Sequence, residues 1–307
     1  MTRPLAALIA GLVVLLAAGC GGGSGDEKAK ASPAAPPGNS LEALWRAPGD
    51  DVATVPGTSD YAPGKNRISF LIINKDELVE RPTATVWVAS ALKAKPYEKT
   101  TATLEPIGVP GGETAAAGNI YVAKITVRRP GKTWYVAEPV GGKKVQALGT
   151  LLVGKRSAAP NIGERAISTD TPTLRSTGGD MKLLSTARHP DPGLYKTSVA
   201  EALASHTPFV VTFATPEFCQ TRTCGPVVDV VSAVRKKFAS KGVDFIHVEV
   251  YTDNDPAKGV NRWLKAWHLQ TEPFTFVVDR NGIVSSKLEG AFSVRELTTA
   301  VNRVAKQ

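Results

Sequence analysis

The chain has 307 residues, of which 42% are hydrophobic and 21% are charged, and its formal net charge is +9. This is an ordinary globular composition, and the length is sufficient for two domains. The lysines and arginines are scattered and form no dense cluster interleaved with aromatic residues, so we expect no nucleic-acid partner.

The N-terminus has the features of a secretory signal. Arg3 gives a short basic region, Leu5 to Leu16 forms an apolar core, and Ala17-Ala-Gly-Cys20 follows as a processing site. This ending resembles the bacterial lipobox, whose cysteine is diacylated and becomes the first residue of the mature protein. Ala17 stands where that family most often has leucine. The resemblance implies a lipoprotein with signal peptide 1–20, lipidated at Cys20 and anchored on the extracytoplasmic face of the cell membrane.

Residues 21–64 are predicted to form a flexible tether. Their first half is rich in Gly, Ala, Ser and Pro and cannot bury a hydrophobic core. A coil of about 20 residues would hold the globular part some tens of ångströms from the membrane. Leu44 and Trp45 are the residues in this stretch that we expect to pack against the next domain.

Residues 65–155 are predicted to form an all-β domain. Short runs rich in β-branched and aromatic residues alternate with Pro-Gly, Gly-Gly and Asn-Lys-Asp turn signals, at the spacing of a sandwich. The pattern is similar to immunoglobulin-like folds, although it lacks their cysteine pair. Trp87 lies in an alternating run and is predicted to be a core residue. This domain has no cluster of chemically active side chains, so a spacer or docking role is expected.

A linker is predicted over 156–195, where proline and threonine are frequent. After it, Ser198 and Glu201 have the spacing of a capping box and predict a short helix.

Cys219 and Cys224 lie where a strand is predicted to turn into a helix. Phe209 to Phe213 is a short β-type run, and from Val227 onward the apolar residues follow helical spacing. Pro226 suits the first turn of a helix, and the positive end of the helix dipole favours a thiolate over a thiol. Once Cys20 carries lipid, these two cysteines are the pair that remains in an oxidising compartment.

The strand, the cysteine pair, Cys-Gly-Pro and the helix resemble the thioredoxin superfamily over residues 196–307. The resemblance extends to Thr271-Glu-Pro273, which looks like the cis-proline strand that faces the cysteines in that family. It implies an α/β thioredoxin-like fold behind the β domain, with Cys219, Cys224 and Pro273 as catalytic residues. One departure is the spacing, since thioredoxins separate their cysteines by two residues and this chain by four.

The main hypothesis is thiol–disulfide exchange with protein clients, without a cofactor or a metal. Which cysteine attacks stays open, because chain order favours Cys219 while the helix dipole favours Cys224. Glu272 would oppose formation of a thiolate and Arg222 would promote it.

Two alternatives remain. Thioredoxin-fold copper chaperones bind copper through two cysteines and a distant histidine. His268 is the best candidate for that histidine, whereas His247 lies in a strand pattern and is predicted to be a core or edge residue. A tethered binding module without enzymatic activity is the other.

Overall fold

The computed structural model describes residues 38–75 and 77–305. The predicted signal peptide, Cys20 and the first half of the predicted tether lie outside this range. Within it, no helix combines the length and the apolar character needed to cross a membrane.

The first part of the described chain forms one antiparallel sheet and a short helix, α1 (Leu41–Trp45). The sheet has the strand order β1-β2-β6-β5-β4-β7-β8, and the short β3 pairs with β2. Its strands are β1 (Ala53–Pro56), β2 (Gly64–Asn74), β3 (Glu77–Leu78), β4 (Thr83–Ala89), β5 (Glu98–Pro106), β6 (Asn119–Val127), β7 (Gly131–Pro139) and β8 (Ala147–Val153). Helix α1 and strand β1 both fall in the stretch predicted as tether.

The sheet curls so that its first and last strands meet. The Thr54 hydroxyl on β1 donates a hydrogen bond of 2.8 Å to the Leu148 carbonyl on β8, which gives the sheet a barrel-like shape. A sheet closed on itself leaves few strand edges unpaired, and its inward-facing side chains form a single hydrophobic core. The predicted immunoglobulin-like sandwich is therefore not confirmed, because these strands belong to one sheet and not to two.

The interior of the barrel is filled by alternate residues of each strand. On β2, Ile68, Phe70 and Ile72 point inward, and the Phe70 ring stacks on Tyr121 with ring centroids 5.6 Å apart. Trp87 was predicted to be a core residue, but its neighbours on β4 occupy the interior. Trp87 instead points outward and packs with the α1 residues in a small separate cluster.

The C-terminal part forms a four-stranded mixed sheet with the strand order β10-β9-β11-β12. Strand β10 is parallel to β9, whereas β11 runs antiparallel to both β9 and β12. The elements are α2 (Val199–Ala204), β9 (Phe209–Phe213), α3 (Cys224–Lys237), β10 (Asp244–Val248), α4 (Arg262–Ala266), β11 (Phe274–Val278), β12 (Val284–Glu289) and α5 (Val294–Val304).

Helices cover both faces of this sheet. Helices α3 and α5 pack together on one face, while α2 and α4 with Trp267 cover the other. The mixed sheet thus lies between two layers of helices. The predicted linker contributes to the same core, because Leu184, Leu194 and Tyr195 are buried against α3.

The barrel and the mixed sheet are joined by buried polar contacts. The Arg67 guanidinium on β2 donates to both carboxylate oxygens of Glu296, at 2.9 and 3.0 Å, and to the carbonyls of Glu289 and Ala291. The Glu289 carboxylate accepts from the backbone N–H groups of Ser59 and Asp60, both at 2.9 Å. These contacts place β2 and the loop after β1 beside the end of β12 and the start of α5.

Candidate active site

The cysteine pair lies where the sequence places it, between the end of β9 and the start of α3. Strand β9 is buried along its whole length, which fixes the point at which the loop begins. Cys224 is the first residue of α3, and Pro226 follows in its first turn. Both cysteines are free thiols. Cys219 has 8% of its surface exposed and Cys224 has none, so only Cys219 is reachable from outside.

The surroundings of Cys219 favour its thiolate. The pKa of Cys219 is lowered from 9.0 to about 5, and the hydrogen bond from the Cys224 thiol is the largest cause. The Thr221 hydroxyl, 3.3 Å from the sulfur, and the backbone N–H groups of Thr223 and Cys224 act in the same direction, against the effect of burial. Cys219 is therefore a thiolate at neutral pH.

Cys224 has the opposite environment. Burial raises the pKa of its thiol far above the ordinary range, and the hydrogen bond that it gives to Cys219 and the charge of Glu272 add to this effect. Cys224 is thus a buried, protonated thiol that stabilises its partner. The two cysteines are chemically distinct although they lie in one loop.

Glu272 contacts Cys224 directly. The single hydrogen of the Cys224 thiol has two acceptors within reach, the Cys219 sulfur and Oε2 of Glu272, which lies 3.7 Å from the Cys224 sulfur. The Thr215 backbone N–H donates to the same Glu272 oxygen at 3.0 Å. Burial, followed by the charge of Cys219, raises the pKa of Glu272 to about 7. Glu272 therefore exchanges its proton near neutral pH, and it does so next to the thiol that must lose one.

Pro273 follows Glu272 through a cis peptide bond and begins the approach to β11. It is buried and lines a cavity together with Thr221 and Thr223 of the cysteine loop. The predicted cis-proline is thus beside the pair. Arg222, which was expected to promote the thiolate, is exposed. The low pKa of Cys219 is caused mainly by hydrogen bonds.

In the described part of the chain, the sulfur atoms of Cys219 and Cys224 and a carboxylate oxygen of Glu272 lie within 4.8 Å of one another. These are the groups that could hold a metal ion here. The predicted copper ligand His268 is exposed and does not belong to this group. His247 is a buried core residue, because its Nε2 donates to the Ala214 carbonyl and its Nδ1 accepts from the Tyr195 hydroxyl.

A loop of the barrel also reaches the site. The connection between β5 and β6 brings Glu113 against the N-terminal part of α3, where its backbone N–H donates to the Asp229 carboxylate at 2.7 Å. A Cβ atom on Gly225 would lie 2.1 Å from the Glu113 carboxylate, so only glycine fits there without displacing Glu113. Glu113 and Cys219 line the same polar cavity of about 450 Å³, through which Cys219 is reached.

Three residues of the site were not found from the sequence. Thr221 had a local signal, since a hydroxyl two residues from a cysteine can bond to its sulfur. Glu249, a buried carboxyl whose pKa is raised to about 7 by burial, lies near Glu272 but occurs in an ordinary strand pattern. Glu113 is more than 100 residues away in the chain, and nothing in its local sequence connects it to the cysteines.

Comparison with known proteins gives distant likenesses among solved structures. No protein-family model and no curated protein matches the chain. Among solved structures, the chain is similar to a thiol:disulfide interchange protein of the thioredoxin family from Chlorobium tepidum TLS, with 18% sequence identity and a TM-score of 0.33. The match covers 48% of this chain and 99% of the other. Any functional conclusion must therefore come from the site itself.

Proposed function

We propose that this chain is a thiol–disulfide oxidoreductase whose working groups are Cys219 and Cys224. The observation that supports this most strongly is the asymmetry of the pair. Cys219 is accessible and favours the thiolate, whereas Cys224 is buried, protonated and close enough to resolve a bond made by Cys219. Thiol–disulfide exchange requires such an attacking thiolate and a resolving thiol.

The first step is attack by the Cys219 thiolate on one sulfur of a client disulfide. A bond forms between Cys219 and that sulfur, the client disulfide breaks, and the second client sulfur leaves as a thiolate that takes a proton from water. The protein and the client are then joined by a mixed disulfide. The loss of the Cys219 charge also removes one reason for the raised pKa of Glu272.

The second step uses Cys224 and Glu272. Cys224 transfers its proton to the Glu272 carboxylate, 3.7 Å away, and the resulting thiolate attacks the Cys219 sulfur. The Cys219–Cys224 disulfide forms, the bond to the client breaks, and the client leaves as a thiolate. The client has gained two electrons and the cysteine pair has lost two. Every step is reversible, so the reduction potentials of the partners set the direction.

We also propose that this activity is held outside the cytoplasm by lipid on Cys20. The support for this is the sequence Ala17-Ala-Gly-Cys20 after an apolar core. The clients would then be envelope or secreted proteins that carry cysteines.

The experiment that tests the exchange function is a redox cycle of the purified protein. With increasing oxidised glutathione, Cys219 and Cys224 should become resistant together to alkylation of the acid-quenched, unfolded protein, and one peptide-mapped disulfide should join them. Excess reductant should reverse the change. A pair that stays alkylatable in excess oxidised glutathione, or stays bonded in excess dithiothreitol, would contradict the proposal.

A further inference from the structure

A second cavity lies beside the cysteine loop, between the barrel and the mixed sheet. It has a volume of about 330 Å³. One wall consists of Thr221, Thr223 and Pro273, with further residues from the loops next to them. The other wall comes from the barrel, through Val55 on β1, Leu71 on β2, Ile107 after β5 and Ile120 on β6.

The barrel wall of this cavity is apolar on the outer face of a sheet. Leu71 lies between the inward-pointing Phe70 and Ile72, so its own side chain points outward. Val55 is paired with Leu71 across β1 and β2, and Ile120 precedes the interior residue Tyr121 on the next strand. Three neighbouring strands thus direct aliphatic side chains toward the cavity.

These aliphatic side chains are not needed by the barrel core. The outer face of an antiparallel sheet is usually polar where it meets water. Val55 nevertheless keeps 42% of its surface exposed. Apolar residues grouped around a recess are a common mark of a binding site.

The acidic groups of the cavity are already engaged. Both oxygens of the Glu289 carboxylate accept hydrogen bonds, from the backbone of Ser59 and Asp60 and from the hydroxyls of Ser59 and Thr271. The Glu272 carboxylate accepts from Thr215 and Cys224. Both Glu289 oxygens are therefore used within the protein, and the engaged oxygen of Glu272 is turned to the cysteine loop, so the aliphatic barrel wall makes the cavity favour an apolar group.

We propose that this cavity binds an apolar side chain of the client segment that carries the disulfide attacked by Cys219. This inference rests on the proposed exchange function. Thr221 and Thr223 belong both to the cavity wall and to the loop that holds Cys219, so a client segment bonded to Cys219 can reach the cavity across that loop. About 330 Å³ is near the lower end of ligand pockets, which suits one or two side chains of an extended segment.

The barrel would then select clients. Cys219, Cys224 and Pro273 are all provided by the C-terminal part, whereas Val55, Leu71 and Ile120 come from the barrel. Exchange chemistry and preference for a sequence would thus belong to two different parts of one chain. Clients with leucine, phenylalanine or methionine near a disulfide would be favoured over clients with polar residues there.

Two probe peptides test this inference. They are identical except for phenylalanine or serine beside a single cysteine, and each cysteine is bonded to a chromogenic thionitrobenzoate. Attack by Cys219 on the peptide sulfur releases the coloured thiolate. The reduced full chain should react at least roughly tenfold faster with the phenylalanine peptide, the effect expected from burying an aromatic side chain. Val55→Glu should reduce the ratio of the two rate constants to below about threefold, since it places a charge in the cavity.

The control is Leu152→Glu. Leu152 is also aliphatic, points outward from strand β8 and has 69% of its surface exposed, but it does not line the cavity. This variant should keep the wild-type ratio. Val55→Thr, which retains the shape of valine, should reduce the ratio by a smaller factor and serves as a second variant if the glutamate impairs folding. Equal rates for the two peptides with the wild-type chain, or an unchanged ratio in both Val55 variants, would overturn the inference.

A binding measurement separates this inference from the exchange function. Fluorescent versions of the peptides with serine in place of cysteine cannot exchange, and their affinities can be measured by anisotropy. A preference for the phenylalanine peptide that is lost in Val55→Glu would support the proposed role of the cavity. The exchange function is tested separately with a small aromatic disulfide that has no peptide. Failure of the wild-type chain to react with that disulfide would contradict the exchange function alone. Reaction with the small disulfide without any peptide preference would leave the exchange function standing and overturn the cavity.

Discussion

Replacement of Cys224 by alanine should raise the pKa of Cys219, and replacement by serine should not. The hydrogen bond from Cys224 is the largest of the influences that lower the pKa of Cys219 to about 5. Alanine removes this donor, whereas the serine hydroxyl preserves a donor of nearly the same size. The two variants differ by one oxygen atom and so share any effect of the smaller side chain on packing.

The size of the shift follows from the remaining partners. In the alanine variant, Thr221 and the backbone N–H groups of Thr223 and Cys224 still lower the pKa, so it should lie between 5 and the ordinary 9.0. We expect a rise of at least about one unit, and a change below about half a unit for serine. At pH 5, a rise of one unit lowers the thiolate fraction of Cys219 from about one half to about one tenth.

The assay is the rate of alkylation of Cys219 between pH 3.5 and pH 9. In a Cys20→Ser background, the Cys224 variants leave Cys219 as the only thiol of the chain. A more basic thiolate is about threefold more nucleophilic per pKa unit, so the midpoint of the profile, and not the rate at one pH, is the readout. Equal midpoints in the alanine and serine variants would refute the claim that the Cys224 donor sets the pKa of Cys219.

Two further predictions concern client capture and the membrane. The Cys224→Ala variant should accumulate mixed disulfides with client proteins, visible on non-reducing gels. The Cys219→Ala variant should accumulate none, because only Cys219 is accessible. Equal loss of bound copper in both variants, without trapped clients, would instead support the metal alternative. Cys20→Ser should move the protein from the membrane fraction to the soluble fraction, because the acyl anchor would be lost; a variant that still sediments with membranes would contradict the lipoprotein hypothesis.

Local sequence was most informative where one element determines the structure. The strand predicted over Phe209–Phe213 matches β9 residue for residue, because the run is too short for a stable helix and consists of β-branched and aromatic residues. Helix α2 begins with the complete predicted capping box of Ser198 and Glu201. The cis bond before Pro273 was also predicted, through the resemblance and not through the residues alone.

The sequence was less informative where a side chain bonds to a residue that is far away in the chain. Ser293 and Glu296 also have the spacing of a capping box, and Ser293 does cap α5. The Glu296 carboxylate, however, binds Arg67 of the barrel. Trp87 shows a second limit. The alternation of side chains along a strand separates its two faces, but it does not reveal which face lies inside the barrel. Strand order is not a local property either, so the β-rich runs did not distinguish a sandwich from a barrel.

The active site was predictable in its chemistry but not in its electrostatics. The cysteines and the helix start were evident, and Glu272 was recognised as a charge near the pair. Which cysteine is the nucleophile depends on burial and on contacts across the loop, and these follow only from the fold. The barrel residues around the site, such as Glu113 and Val55, had no sequence signal because their role depends on how the barrel and the mixed sheet pack.

The reduction potential of the Cys219–Cys224 pair is the most direct test of the central claim. A lower pKa of the attacking thiol stabilises the dithiol form and raises the reduction potential. The pKa of about 5 for Cys219 lies between the values for the attacking cysteines of thioredoxin, about 7, and DsbA, about 3.5. Equilibration with glutathione buffers should therefore give one two-electron transition between about −270 and about −120 mV. A potential below about −300 mV would identify a structural disulfide and contradict the account.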